Sequence, residues 1–398
     1  MKLNKWTVAL AAVGVVSLAS VAKAEEKAGS VMTALSSTTL SGYVDTSAQW
    51  NFGSGNGNNP PYKFGGPTKA DGFNLDVIQL RLDKPLDESQ WAAGYRVDLW
   101  FGPDANTLGT TLGSNSRNSS ANQSDFAIRQ AYVALRVPVG NGLDLKIGTF
   151  DSIIGYESVE SGSNPNYTRS YGHSIEPQTM TGVLASYRFC DVVSASAGVA
   201  NTVGPQINDR AFAPEQSNWR AKAESYKTYM GSIALTAPDS MGFLAGSSLY
   251  AGIVNGFSSS EGGNQTSWYV GATLATPVKG LRLGAAFDQL DVHNPWYNRG
   301  GDTWAVAGYA SYQATEKLSF HGRLEYLSDQ GRQMYFEEDS TKVLASTLDV
   351  QYDLWKNVLS RVELRWDHSL NDVNTYGGNG SPNRGNAWML AANFIYKF

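Results

Sequence analysis

Taken in steps of two, the stretch Asn386 to Phe398 separates into two faces. Trp388, Leu390, Ala392, Phe394, Tyr396 and Phe398 form one continuous apolar stripe, and Met389, Ala391, Asn393, Ile395 and Lys397 fall opposite. A soluble edge strand carrying such a stripe would template aggregation. A transmembrane strand requires one, with aromatics at both interfaces and a length of about 9–11 residues. The same alternation recurs upstream. Trp91, Ala93, Tyr95, Val97, Leu99 and Phe101 oppose Gln90, Arg96 and Asp98, and Ile78, Leu80 and Leu82 oppose Gln79, Arg81 and Asp83. From Thr39 to the end, the pattern predicts about 16 extended segments.

The connections alternate in length. Long loops rich in Gly, Asn and Ser, such as Gly53–Gly72, Pro103–Ser124, Ile154–Pro177 and Asn371–Gly385, alternate with short turns such as Gly140–Gly142, Val278–Gly280 and Trp355–Asn357. This predicts an all-β fold: a transmembrane antiparallel up-and-down β-barrel over 39–398, with short periplasmic turns and long external loops. A propeller would need four short strands in each period, where this chain has one hairpin of two long ones. No hexapeptide-type β-helix repeat is visible.

Composition agrees. The chain has 41 glycines, 12% aromatic residues and a mean hydropathy of -0.30, so apolar and polar positions average out along it. Lys2 and Lys5, the apolar run Val8–Val16 and the Ala22-Lys23-Ala24 site predict a secretory signal over 1–24, followed by a short periplasmic segment over 25–38. No later apolar run is long enough for a spanning helix. A single cysteine, Cys190, excludes an internal disulfide framework. Removal of the signal's three lysines takes the formal charge from -5 to -8, which offers nothing to nucleic acid.

With the apolar face outward, the polar face lines the interior, and a 16-stranded barrel leaves a water-filled lumen. The inward cations are then Arg81, Arg96, Arg136, Lys146, Arg282, Arg323, Arg361 and Arg365; the inward anions are Asp45, Asp83, Asp98, Asp144, Asp288, Glu325, Asp349, Glu363 and Asp367. Many are i, i+2 neighbours on one strand, as in the Arg361/Glu363/Arg365/Asp367 ladder. So many charges on one wall imply hydration. Strands between Gln178 and Gly256 carry almost no inward charge, leaving an electrostatically plain arc suited to a subunit contact. Loop 3, Ile154–Pro177, carries Glu157, Glu160, Arg169 and Glu176 with Tyr156, Tyr167 and Tyr171. It either narrows the lumen, setting its carboxylates against the arginine wall, or lies on the external surface.

Lys146–Glu157 (KIGTFDSIIGYE), Asn164–Tyr171 (NPNYTRSY), Glu176-Pro177, Thr181-Gly182, the opening Gly42–Phe52 (GYVDTSAQWNF) and the terminal Phe398 together resemble the OmpL-like β-barrel porins. At Asn201–Pro205 the chain departs from that pattern. The resemblance implies a non-enzymatic outer-membrane pore for small hydrophilic solutes in a Gram-negative bacterium, with Phe398 as the signal read by the barrel-assembly machinery. Outer-membrane lipid would be the other partner. A homotrimer and a monomer are both compatible with the sequence, and no cofactor is implied.

Two further readings stay open. A sugar-selective channel would stack pyranose rings on Tyr43, Trp100, Tyr132, Tyr269 and Tyr309, all of inward parity. A plugged barrel would serve as an adhesin or structural protein. An outer-membrane hydrolase lacks support. His173, His293, His321 and His368 are scattered, with no G-x-S-x-G or HExxH around them, and they form no metal cluster. His321 is expected simply to line the lumen.

Overall fold

A computed structural model describes residues 31–32, 38–53, 57–60, 69–108, 110, 125–211, 225–258, 263–294, 299–330, 341–371 and 373–398. The expected export signal lies outside the described residues, as does most of the segment 25–38; within that segment, the backbone of Val31 and Met32 pairs with Leu40 and Thr39.

Sixteen antiparallel strands close on themselves. They are β1 (Thr39–Phe52), β2 (Gly72–Lys84), β3 (Ala93–Phe101), β4 (Phe126–Val137), β5 (Leu143–Asp151), β6 (Thr179–Arg188), β7 (Val193–Ala200), β8 (Thr228–Thr236), β9 (Ser248–Ser258), β10 (Gly263–Ala275), β11 (Leu281–Asn294), β12 (Arg299–Gln313), β13 (Leu318–Asp329), β14 (Thr341–Trp355), β15 (Val358–Ser369) and β16 (Asn386–Lys397). Each pairs with its sequence neighbours, and β16 returns to β1 from Trp388↔Phe52 to Lys397↔Tyr43. Gly42 and Phe398 extend that seam by exchanging two backbone hydrogen bonds of 3.0 Å. Closure is physically required, because an open edge in lipid would leave its N–H and C=O groups without partners. Among the described residues no helix is long and apolar enough to cross a membrane.

The outward stripe is where the alternation places it: Val183, Ile233, Val270, Leu324, Leu348, Val362 and Phe394 are all exposed on the outer surface. Aromatics gather at the strand ends, with Trp50, Phe73, Trp366 and Trp388 on the external side and Tyr187, Phe189, Tyr352 and Trp355 on the other, forming two interfacial girdles. The wall is uneven in height, since β6 to β8 span 8–10 residues and β10 to β15 span 12–15.

Three register shifts interrupt the ladders: one at Asp353/Trp355, beside the short β14–β15 turn, and two bulges that change which side chains face inward. The pairing Asp45↔Val77, Thr46↔Leu75 skips Asp76, and Asp98↔Gln130, Leu99↔Ile128 skips Arg129. A bulge inserts one residue and re-aims a side chain. Asp76 and Arg129 therefore join the buried inner face, while Phe73 and Leu75 stay outward.

Candidate functional site

The connection between β5 and β6, residues 152–178, is fastened to inward side chains around most of the barrel. Three docks hold it, each built from a different chemistry.

The first dock is apolar and faces the plain arc. Ile153, Ile154 and Tyr156 pack with Met180, Leu184, Met230, Tyr250, Val254 and Tyr309. The Tyr250 hydroxyl donates to the Ile153 carbonyl, and the Tyr156 ring stacks on Tyr309 with centroids 4.0 Å apart. Small wall residues make the room. A Cβ on Gly284 would come within 1.8 Å of the Tyr156 hydroxyl, and one on Gly252 within 2.5 Å of Ile154 Cγ2. The scarcity of inward charge on β6 to β9 thus serves to seat the loop.

The second dock is ionic and uses β13 and β15. Arg323 Nη1 donates to Glu157 Oε1 (2.8 Å) and to the Thr168 carbonyl (2.9 Å), while its Nη2 reaches the Arg169 carbonyl (3.2 Å). Arg361 donates to the carbonyls of Asn164 (2.9 Å), Asn166 (3.1 Å) and Ser161 (3.2 Å), and Arg365 to that of Arg169 (2.7 Å). The carboxylates complement these by accepting loop N–H groups: Glu363 from Tyr167 (2.6 Å) and Thr168 (3.0 Å), and Glu325 from Tyr171 (2.6 Å). The Tyr171 hydroxyl donates to Asp367 (2.8 Å), and Tyr167 shares a hydrogen bond with Ser47 (3.0 Å). Irregular backbone away from water must find partners, and here guanidinium and carboxylate groups supply them.

The third dock is formed by Glu160, whose carboxylate meets Arg81 and Arg129 opposite Asp98. Burial alone would raise this carboxyl, but Arg81 and Arg129 outweigh it and bring it from an ordinary 4.5 down to about 2. Lys397 Nζ adds a bond to the Gly162 carbonyl (2.7 Å). Within the loop, Asn164 bonds Ser158 and Glu160, and buried Arg169 binds the carbonyls of Ser158, Tyr167 and Val159. Arg169 is pushed below its ordinary value by burial, with Arg361 adding to the effect. The short helix α1 (Tyr171–Ile175) follows, capped by Ser170 Oγ accepting from the His173 N–H. Glu176 faces Gly155 and Asp288 at the loop's exit.

All eighteen wall residues named from the sequence occupy the inward parity of their strands, yet they form two groups. Arg323, Glu325, Arg361, Glu363, Arg365 and Asp367 are at most 2% exposed and hold the loop. For these six, the hydrated wall inferred from charge density is corrected: loop backbone satisfies five of them, and Asp367 accepts from the Tyr171 hydroxyl and Arg365. Asp45, bonded by Asn393, Asp98, Asp349 and Asp288 are also buried. His321 sits between Ser311 (2.8 Å) and Ser319 (2.9 Å). The second group keeps contact with solvent. Arg81, Arg96, Asp83, Arg136 and Asp144 retain 18–20% of their side-chain surface, Arg96 pairs with Asp83 (3.0 Å) and Arg136 with Asp144 (2.6 Å). Lys146 lies over the Tyr132 ring (5.0 Å), and Arg282 is exposed.

Of the aromatics suited to sugar stacking, Tyr43, Trp100, Tyr269 and Tyr309 are buried, Trp100 being pinned by Gln79 (3.0 Å) and Arg129; Tyr132 alone of the five keeps a partly open face. Alternation counted from the inward Arg136 puts Arg129 on the outward parity, and the bulge that turns it in has no signature in the hydrophobic pattern. Trp100 and the acidic Asp98 and Asp151 around it were the available hint.

A closed 16-stranded antiparallel barrel with apolar exterior, charged interior and a long loop bonded to its inner wall defines an outer-membrane porin, a channel rather than an enzyme. The chain belongs to the family described as "Putative beta-barrel porin-2, OmpL-like", whose model matches residues 37–398. No curated protein matches it by sequence. Among solved structures, the anion-selective porin from Comamonas acidovorans is similar at 14% identity and TM-score 0.57, over 91% of this chain and 99% of that one. OmpF of Salmonella typhi, solved with daunomycin, is similar at 15% and 0.58, over 91% and 97%. The trimer form of OmpT from Vibrio cholerae is similar at 11% and 0.55, over 91% and 99%. The protein is thus a porin of the bacterial outer membrane.

Proposed function

We propose that the protein passes small hydrophilic solutes and ions by passive diffusion, with loop 3 narrowing the lumen to a channel along the β2 to β5 wall. The observation that supports this most is the asymmetry of the interior. Side chains of β13 and β15 are consumed by the loop and Arg81 anchors it through Glu160, while Arg96, Tyr132 and Lys146 on the same wall stay partly accessible. Water and solute then run past the docked loop along the stretch of wall that carries Arg96 and Lys146, whose positive charge acts on ions at the narrowest point.

Around this channel, residues 1–24 act as an export signal, Phe398 as the assembly signal for the barrel-assembly machinery, and lipid covers the outward stripe. Assembly as a homotrimer fits the uneven wall, whose low side at β6 to β8 is the contact. Exclusion of polyethylene glycols of graded size from the open channel in planar bilayers tests the narrowing. The reading requires a cut-off well below the diameter of an unobstructed 16-stranded lumen; free passage of polymers that fit such a lumen would remove it.

A further inference from the structure

The periplasmic underside of loop 3 is edged by cations that the docking leaves open to the lumen. On β11 the inward positions run Arg282, Gly284, Ala286 and Asp288. Gly284 seats Tyr156, so Arg282, one inward position nearer the Val278–Gly280 turn, emerges just below the docked loop. Its cross-strand neighbours are Ala275 and Ser311; it is exposed, with no ion pair or side-chain hydrogen bond among the described residues. Lys146 stands at the same height on β5, below Phe150 of the first dock, with the Tyr132 ring against it (5.0 Å). Lys397 ends β16 beside Ile395; its Nζ reaches the Gly162 carbonyl (2.7 Å) and the residue is exposed.

The inward carboxylates below the loop do not cancel these charges. Asp83 pairs with Arg96 (3.0 Å) and Asp144 with Arg136 (2.6 Å). Asp353 on β14 faces Lys397 and Lys317 without an ion pair to either. Lys146, Arg282 and Lys397 are therefore left without a carboxylate partner among the described residues, and they are spread evenly: their strands, β5, β11 and β16, lie six, five and five strands apart around the closed wall. External to the loop the balance differs. There Lys69 is held between Asp76 and Asp104 (2.5 Å each), and Arg323, Arg361 and Arg365 are bonded to the loop itself.

We propose that Lys146, Arg282 and Lys397 form a cationic collar on the periplasmic face of the constriction, and that the solutes the channel favours are small anions bearing carboxylate or phosphate. The inference rests on loop 3 narrowing the lumen, and it names Arg282 as a selectivity-determining residue across the lumen from Lys146. A ring of Lys and Arg in a narrow, low-dielectric passage focuses a positive field on the path and favours anions over cations. Ammonium and guanidinium groups are donors only, so the oxygens of a passing carboxylate or phosphate find charge-assisted partners there while a cation finds none.

The test records the full barrel in planar bilayers under gradients of potassium chloride, potassium acetate and potassium phosphate. Wild type is compared with Arg282→Gln and Arg282→Glu, each confirmed as folded by heat-modifiable electrophoretic mobility. At about 0.1 M salt, where the screening length is about 10 Å, wild type should prefer all three anions to potassium, and at about 1 M, where it is about 3 Å, the preference should shrink. Arg282→Glu should lower the anion-to-cation permeability ratio by about threefold or more, with Arg282→Gln between it and wild type. No openings from folded wild type, potassium preference at the lower salt, or a ratio unchanged in folded Arg282→Glu overturns the proposal. Polymer exclusion on the same channels separates it from the narrowing: an anion preference that Arg282→Glu lowers, in a wild type without a polymer cut-off, would contradict the narrowing and leave the collar standing.

Discussion

Arg323 and Glu157 meet at 2.8 Å across 166 residues of chain, and both are almost wholly buried. The pair joins the barrel wall to the loop inside it. Removing one member leaves the other charged and unpaired in a dry site, which costs about 3–5 kcal/mol. Arg323→Ala should therefore leave the barrel folded and undock loop 3. Limited proteolysis reads this directly: the variant is cut within 152–178 at least one hundredfold faster than wild type. Equal rates would show that the pair holds nothing.

Gly284 and Tyr156 give a second, apolar test. A methyl at Gly284 collides with the Tyr156 hydroxyl at 1.8 Å, so Gly284→Ala should loosen the first dock by about 1–3 kcal/mol. Because the collision involves Tyr156 Cζ at 2.6 Å as well as the hydroxyl, adding Tyr156→Phe should restore part of the loss, and a double-mutant cycle on loop protease resistance should show a favourable coupling. Additive losses would contradict the packing described.

How far the sequence could reach depends on which of these contacts is local. The sixteen strands were legible because lipid outside and polar residues inside impose a period of two that survives in each strand separately. The inward identity of Arg361, Glu363, Arg365 and Asp367 followed from the same period. Their task did not, since it depends on loop carbonyls, N–H groups and a hydroxyl about 200 residues away that only the fold brings near. Asp76 and Arg129 were unreadable for a different reason: a bulge changes parity at one residue, and the apolar pattern on either side looks uninterrupted.

Ion preference should follow the hydrated group of charges. Lys146→Glu changes a side chain on the open wall and should move the reversal potential under a salt gradient toward cation preference, with little change in loop protease resistance. Arg365→Glu should do the opposite, exposing the loop to protease because its charge lies beneath Arg169 and Tyr171. A large potential shift from Arg365→Glu with an intact loop would reverse this assignment.

Glu160 sets the acid limit of the third dock. Its carboxyl is lowered to about 2 in the folded protein against an ordinary 4.5, so its contribution is fully present above about 4.5 and is lost as the pH falls through about 2. Loop protection in wild type should exceed that in Glu160→Gln by a constant margin from neutral pH to about 4.5, and the margin should close between there and about 2. A margin that vanishes already near neutral pH would contradict the pairing with Arg81 and Arg129.

The central claim is that loop 3 occupies part of the lumen, and single-channel conductance measures it most directly. Wild type is compared in planar bilayers with a variant in which residues 158–171 are replaced by a short Gly-Ser link, each verified as a folded barrel by heat-modifiable mobility. The account predicts that the shortened loop raises unitary conductance by about twofold or more and admits larger polymers, because a 16-stranded wall encloses an aqueous channel once nothing crosses it. Unchanged conductance and polymer cut-off in the folded variant would mean that the loop does not narrow the path, and would contradict it.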